Sequence, residues 1–210
     1  SGGISISYTS VGTNNNDNHI ENNRITATQT GIYSLGNSAT DKNTGTVINQ
    51  NSMDGTAPDN LRNNGIFVGF EDGIVISGNS LAHITNSVSN DIIGINLGFN
   101  NNATSSTSTT GKEVTNALVT NNKLDSIVQS NTFSCIGIAV SGATSGTNTI
   151  ANNMLSGVLS KGTGGDFSAG IFIGGTAGGT TRVYYNAIDM SGTITGASYP
   201  SFAVAVSGTN

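Results

Sequence analysis

The sequence predicts an all-β solenoid, a parallel β-helix of about seven coils, and two interleaved repeats predict it. The first repeat is set by Ile20-Glu21-Asn22-Asn23-Arg24-Ile25: an aliphatic residue, Asn three positions on, and another apolar residue after that. It returns from Ile48, Ile76, Val119, Ile150 and Val183, so that Asn23, Asn51, Asn79, Asn122, Asn153 and Asn186 occupy one recurring position. The second repeat is a small residue followed by two apolar residues spaced two apart, as in Gly3-Ile4-Ser5-Ile6, Gly65-Ile66-Phe67-Val68, Gly94-Ile95-Asn96-Leu97, Gly137-Ile138-Ala139-Val140, Gly170-Ile171-Phe172-Ile173 and Ala203-Val204-Ala205-Val206. Alternation of this kind marks a strand with one face buried. The two motifs alternate strictly, so one unit of about thirty residues holds one of each.

Each unit offers strands too short to bury a core alone. Stacking the units pairs every strand with its equivalent about 4.8 Å above and below and piles the inward aliphatics into columns. The recurrent Asn fits an inward turn position. It tolerates left-handed backbone, and its amide can both donate to and accept from the Asn one coil away, as stacked amides do wherever identical positions repeat. One copy of the strand motif departs from the pattern: Gly31-Ile32-Tyr33-Ser34 carries Ser where an apolar residue belongs. If the strand bulges there, Leu35 takes the vacant role.

In chain order, the first strand is followed by the Asn-rich turn Thr13-Asn14-Asn15-Asn16-Asp17-Asn18, the first ladder motif and the imperfect Gly31 strand. A polar loop through Asp41 and Lys42 and the Pro- and Gly-marked loop Asp54-Gly55-Thr56-Ala57-Pro58-Asp59-Asn60 come next. After Leu97 the chain is almost purely Asn, Ser and Thr, which reads as a surface loop insertion over residues 100–113, and the register resumes at Leu118-Val119. No change of composition divides residues 1–210, so they read as a single β-helix domain. Both ends fall inside the repeat, which reads as a segment of a longer protein or a unit that stacks end to end with other coils or copies. About seven coils at the sheet spacing make a rod about 30 Å long.

Only 9% of the 210 residues are charged, and the net charge is −5. Seven Lys and Arg in the whole chain are too few for a phosphate-binding face, which excludes nucleic acid as a partner. No apolar run approaches the roughly 20 residues that span a bilayer, and the start lacks the charged and apolar segments of a signal peptide. Membrane insertion is therefore not expected. Cys135 is the single cysteine, so no internal disulfide forms, and it reads as a small core residue rather than a catalytic thiol. Disorder, the other reading that so polar a composition invites, gives no reason for apolar pairs to recur at fixed offsets.

The I-x-x-N-x-φ and G-φ-x-φ motifs resemble those of right-handed parallel β-helix repeat proteins, the architecture shared with pectate lyases, across essentially all of residues 3–206. Gly170-Ile171-Phe172-Ile173-Gly174-Gly175 and Val183-Tyr184-Tyr185-Asn186-Ala187-Ile188, followed by Ser191-Gly192-Thr193-Ile194-Thr195-Gly196, are similar to repeats of very large bacterial surface proteins exported by the type IX route. The resemblance implies a right-handed coil and a secreted or cell-surface location. It leaves activity open, because the family holds lyases, hydrolases, adhesins and inert stalks.

Pectate-lyase-like enzymes hold calcium on carboxylates beside a basic residue, so the resemblance directs attention to Asp17, Asp41 with Lys42, Glu71 with Asp72, and Glu113 with Lys112. All lie in the turns six to ten positions before a ladder Asn. Oxygen ligands of this kind suit calcium, and acid and base could be drawn from the same stripe. No cofactor other than calcium is expected. His19 and His83 fall at different coil positions with no ligand partner spaced for zinc. Tyr33, Phe67 and Phe172 share an outward strand position, an arrangement that offers sugar-stacking faces, although Asn96 and Ala139 interrupt it. Asn102-Ala103-Thr104 fits the N-glycosylation pattern, and Asp125-Ser126-Ile127 resembles an O-glycosylation signal. The expected function is a non-catalytic structural or adhesive segment, a spacer or adhesin. The alternative is a β-helix that binds or degrades polysaccharide or a cell-surface glycan.

Overall fold

The structure is a computed structural model that describes residues 2–7, 15–87, 89–99, 111–131, 133–160, 166–174, 178–192 and 200–207. The core of the Asn and Ser-rich loop after Leu97, the glycosylation pattern at Asn102 and the stretch from Thr193 lie outside these residues. Every element among the described residues is a strand. The first sheet holds β1 (Gly2–Ser7), β3 (Thr30–Leu35), β7 (Asn64–Gly69), β12 (Ile92–Leu97), β15 (Cys135–Val140), β18 (Ser168–Gly174) and β21 (Ser201–Ser207), neighbours in space in that same order. The second holds β2 (His19–Glu21), β5 (Val47–Asn49), β9 (Val75–Ser77), β13 (Leu118–Thr120), β16 (Thr147–Ala151) and β19 (Thr180–Tyr184). The third holds β6 (Ser52–Met53), β10 (Ser80–Ala82), β14 (Lys123–Gln129), β17 (Met154–Ser160) and β20 (Ala187–Asp189), with β11 (Thr85–Asn86) beside the end of β14. A small fourth sheet pairs β4 (Asn43–Thr44) with β8 (Glu71–Asp72). All strand pairings are parallel, and each sheet grows by one strand per repeat, which is the solenoid that the alternating motifs predict.

The register aligns the motif residues in columns. Ile4, Ile32, Ile66, Ile95, Ile138, Ile171 and Val204 stack along the first sheet. Ile20, Ile48, Ile76, Val119, Ile150 and Val183 stack along the second. Met53, Leu81, Leu124, Leu155 and Ile188 stack along the third. Apart from the exposed Val204, the three columns converge in one continuous apolar core. Each buried aliphatic contributes about 1.5–3 kcal/mol, which is how strands of two or three residues hold their place.

The recurrent Asn sits at the corner between the second and third sheets. Asn122 shows the pattern: its Nδ2 donates to Ile76 O at 2.9 Å on the coil before and to Asn153 Oδ1 at 3.0 Å on the coil after. Its own Oδ1 accepts from Asn79 N at 3.0 Å and Asn79 Nδ2 at 2.9 Å. The same links join Asn23 to Asn51, Asn51 to Asn79 and Asn153 to Asn186. The left-handed residue of the corner, however, is the one before the ladder Asn. Asn22, Gln50, Gly78, Asn121, Asn152 and Tyr185 have φ between 54° and 65°, and no ladder Asn is left-handed. The division of labour has a reason. The left-handed residue makes the bend and turns outward, so the following side chain points into the corner where the backbone groups need partners.

Ser34 corrects a second expectation. β3 does not bulge: Ser34 keeps register between Ile6 and Val68, is fully buried, and donates its hydroxyl to Glu71 Oε1, so Leu35 does not replace it.

Candidate functional site

The turns that carry the acidic stripe line one side of the solenoid, and there the surface opens into a polar groove of about 410 Å³. Its floor is a register of three turn residues on successive coils, Thr44, Asp72 and Thr115. The turn from Asn37 to Asp41 forms one wall, tied by Asn37 N to Asp41 O at 3.1 Å and by Asn37 Nδ2 to Asp41 Oδ2 at 2.8 Å. Asn116 forms part of the opposite wall. Asp72 Oδ1 accepts from Thr115 Oγ1 at 2.7 Å and from Asn116 Nδ2 at 2.8 Å, which holds the floor together across two coils.

The five acids of the stripe do not converge. Asp17, Asp41, Glu71, Asp72 and Glu113 precede their ladder Asn by six, ten, eight, seven and nine positions, so no two share a place in the coil. Asp41 and Asp72 face the groove. Asp17 lies one coil below, where its Oδ1 occupies the space a side chain at Gly45 would need. Glu71 alternates with Asp72 along β8 and points inward, fully buried. Among the described residues, no three His, Cys, Asp or Glu gather as metal ligands.

Glu113 and Lys42 neutralise each other. Lys42 Nζ reaches across the intervening coil to Glu113 Oε1 at 2.9 Å and also donates to Thr115 Oγ1 at 3.1 Å. Glu113 Oε2 accepts from Thr144 N at 2.8 Å and from its hydroxyl at 2.9 Å. Partial burial opposes ionisation of Glu113, but the hydrogen bonds from Lys42 and Thr144 outweigh it and hold the carboxyl below its ordinary value. The end of the expected 100–113 loop thus docks against the solenoid, since Glu113 is buried in this cluster. Burial pushes Glu71 the other way, above the ordinary carboxylate value, against opposing hydrogen bonds from Ser34 and Asn43.

General acid and base work requires a tuned carboxyl at the reacting position. Here the two carboxyls with shifted values are enclosed: Glu71 is sealed inside the coil and Glu113 has both oxygens occupied. What faces the groove is a hydrogen-bonding surface of carboxylate, amide, ammonium and hydroxyl groups, suited to holding a polar ligand.

The outward aromatics are not an exposed stacking surface. Tyr33, Phe67, Asn96, Ala139 and Phe172 do align in one column, as expected, but Phe67, Asn96, Ala139 and Phe172 are buried. Tyr33 stacks on Phe67 at 4.9 Å between centroids, and Phe172 packs on Phe167 at 5.3 Å and Phe99 at 5.7 Å. With Ile93, Ile136, Ala139 and Ala169, the phenylalanines Phe99, Phe167 and Phe172 form a second apolar cluster on the outer face of the first sheet. Alternation alone does not reveal it, because a covered outer face and an exposed one share the same period.

Cys135 is buried and donates its thiol to Ile127 O at 2.9 Å; burial raises its pKa to about 12. At neutral pH a thiol-specific reagent is expected to leave the native chain unlabelled and to modify it fully once unfolded, as read by intact mass. Rapid labelling of the native chain would contradict the packing described.

Sequence reasoning missed Asn43, Thr46, Thr115 and Asn116. A signal existed for the first: eight positions before the ladder Asn the coils carry Asn43, Glu71 and Val114, two polar residues in a column where the next coil is aliphatic. Comparison with known proteins finds no matching family model, no similar curated protein and no matching solved structure.

Proposed function

We propose that the chain is a non-catalytic β-helical segment of a secreted or cell-surface bacterial protein, serving as a rigid spacer or adhesive surface. The observation that carries this reading is the engagement of its polar side chains with one another: six Asn link coil to coil, and Lys42 and Glu113 clamp three successive turns. Such cross-links between coils serve stiffness along the solenoid axis. The motif resemblance to right-handed parallel β-helix repeats, including those of surface proteins exported by the type IX route, supports an extracellular setting, and stacking on further coils or copies fits the same role.

The second reading, binding of polysaccharide or a cell-surface glycan, is favoured by one feature, the polar groove over Thr44, Asp72 and Thr115. A polysaccharide array, run with and without chelator and followed by a depolymerisation assay, separates the two. The spacer reading expects no retention in either condition. Retention that Asp72→Ala abolishes would assign the groove an adhesive role, and cleavage of any polymer would overturn the non-catalytic reading.

A further inference from the structure

Inside the solenoid, at the corner where β4 pairs with β8, the core turns polar. Ser34, Asn43, Thr46 and Glu71 are all buried there, each at 1% exposure or less. Glu71 Oε1 accepts from the Ser34 hydroxyl and, at 3.1 Å, from Asn43 Nδ2. Glu71 Oε2 and Thr46 Oγ1 are enclosed without another hydrogen-bond partner among the described residues. We propose that Glu71 is held as a neutral carboxylic acid whose Oε2 proton is directed at Thr46 Oγ1, and that its ionisation is a switch that loosens the β4–β8 corner.

The geometry carries this because no positive charge faces the Glu71 carboxyl and its two hydrogen-bond donors both fall on Oε1, leaving Oε2 without one. Asp72, next on β8, turns out to Thr115 and Asn116. Asp41, beside β4, takes Asn37, and Lys42 is held by Glu113. Asp17 on the coil below and Lys112 on the coil above complete the charges of the adjoining turns. None of these charges acts on the Glu71 carboxyl, which meets only Ser34, Asn43 and Thr46. Ionisation releases the proton to solvent and leaves in the core an anion with no counter-charge, a strongly disfavoured state. Its relief is to open the corner. Thr44 and Asp72, the neighbours of Asn43 and Glu71, floor the groove, so the groove would open with it.

The sign follows from linkage. A carboxyl raised in the folded state contributes its full stability below its unfolded value and loses it as pH rises through the folded value. Glu113, lowered in the folded state, works in the opposite direction and loses its contribution as pH falls.

The test is amide hydrogen exchange on the full chain over a pH series rising from the ordinary carboxylate value. The reporter is Asn43 N, bonded to Phe70 O at 3.0 Å, and the control is Cys135 N, bonded to Phe167 O at 2.9 Å. After correction for intrinsic exchange, protection at Asn43 is expected to fall by up to about tenfold per pH unit while Cys135 holds, and Glu71→Gln is expected to abolish the slope. Equal slopes at both amides, no slope at Asn43, or an unchanged slope in Glu71→Gln would overturn the proposal. Should that variant fail to fold, the infrared spectrum of the wild-type chain decides. A protonated-carboxyl band persisting above the ordinary carboxylate range supports the switch, and its disappearance at the ordinary value overturns it.

Discussion

Alanine at Asn122 is expected to destabilise the chain by about 3–5 kcal/mol, a large fraction of the stability of an ordinary domain. The side chain accepts the backbone N–H and Nδ2 of Asn79 and donates to Ile76 O, Thr120 O and Asn153 Oδ1. Alanine removes both roles: it leaves the Asn79 N–H buried without its partner, at about 1–3 kcal/mol, and strips further hydrogen bonds from Asn79 Nδ2, Ile76 O and Asn153 Oδ1. The position is fully enclosed, with Asn122 at 1% exposure, so water cannot substitute. At the start of the ladder the same change should be mild. Asn23 is half-exposed, and its Nδ2 serves Glu21 O and Asn51 Oδ1, so Asn23→Ala is expected to cost about 1 kcal/mol. Denaturant unfolding measures both. A midpoint shift at Asn122 with unchanged slope is the expected result, and equal losses at the two sites would show that burial within the ladder is not what gives these bonds their weight. Asn122→Asp separates hydrogen bonding from shape. It keeps the acceptor but turns the second oxygen toward Ile76 O, Thr120 O and Asn153 Oδ1, so it should be worse than alanine at neutral pH and recover on acidification.

What the sequence disclosed and what it concealed divide along a physical line. Periodicity reports which residues share a column, because stacking in register imposes the repeat on the chain; hence the three aliphatic columns, the Asn ladder and the column Tyr33, Phe67 and Phe172 are all legible. It does not report what lies on the other side of a column. Phe67 and Phe172 read as outward, and they are outward from the coil, yet both are buried, Phe172 within a second apolar cluster and Phe67 against Tyr33. The stripe of acids was legible as a region but not as a site. Turn lengths differ between coils, and an offset of one residue decides whether a carboxylate faces the groove, as Asp72 does, or the core, as Glu71 does. Ser34 had the appearance of a flaw because its partner, Glu71, stands 37 residues away. Long-range pairs of this kind leave no periodic trace. The same holds for the Lys42 to Glu113 clamp, which skips a coil.

The small residue that opens each strand motif gives the second large effect: Gly94→Ala is expected to cost about 3 kcal/mol or more, at or beyond the upper end of ordinary overpacking. Gly31, Gly65, Gly94, Gly137 and Gly170 lie one above another where the first sheet faces the leucine column of the third. A Cβ at Gly94 would fall 2.6 Å from Gly137 O and 2.6 Å from Leu124 Cδ2, and a Cβ at Gly65 would fall 2.7 Å from Gly94 O. Alanine gains about 0.4–1 kcal/mol by restricting the unfolded chain, which is too little to offset two such contacts. The repeat itself tolerates alanine only at Ala203, which is exposed in β21. Two neighbours compete as the cause, and a double-mutant cycle with Leu124→Ala distinguishes them. If the leucine methyl were the obstacle, the cavity left by Leu124→Ala would accept the new Cβ, and the two losses would largely cancel. The carbonyl of Gly137 has no such freedom, because moving it means separating β12 from β15, whose parallel register runs from Ile92 with Cys135 to Leu97 with Val140. The expected outcome is therefore a loss that persists in the double variant. Full rescue would show that side-chain volume alone, and not the approach of one backbone to the next, requires glycine at this position in the coils that carry it.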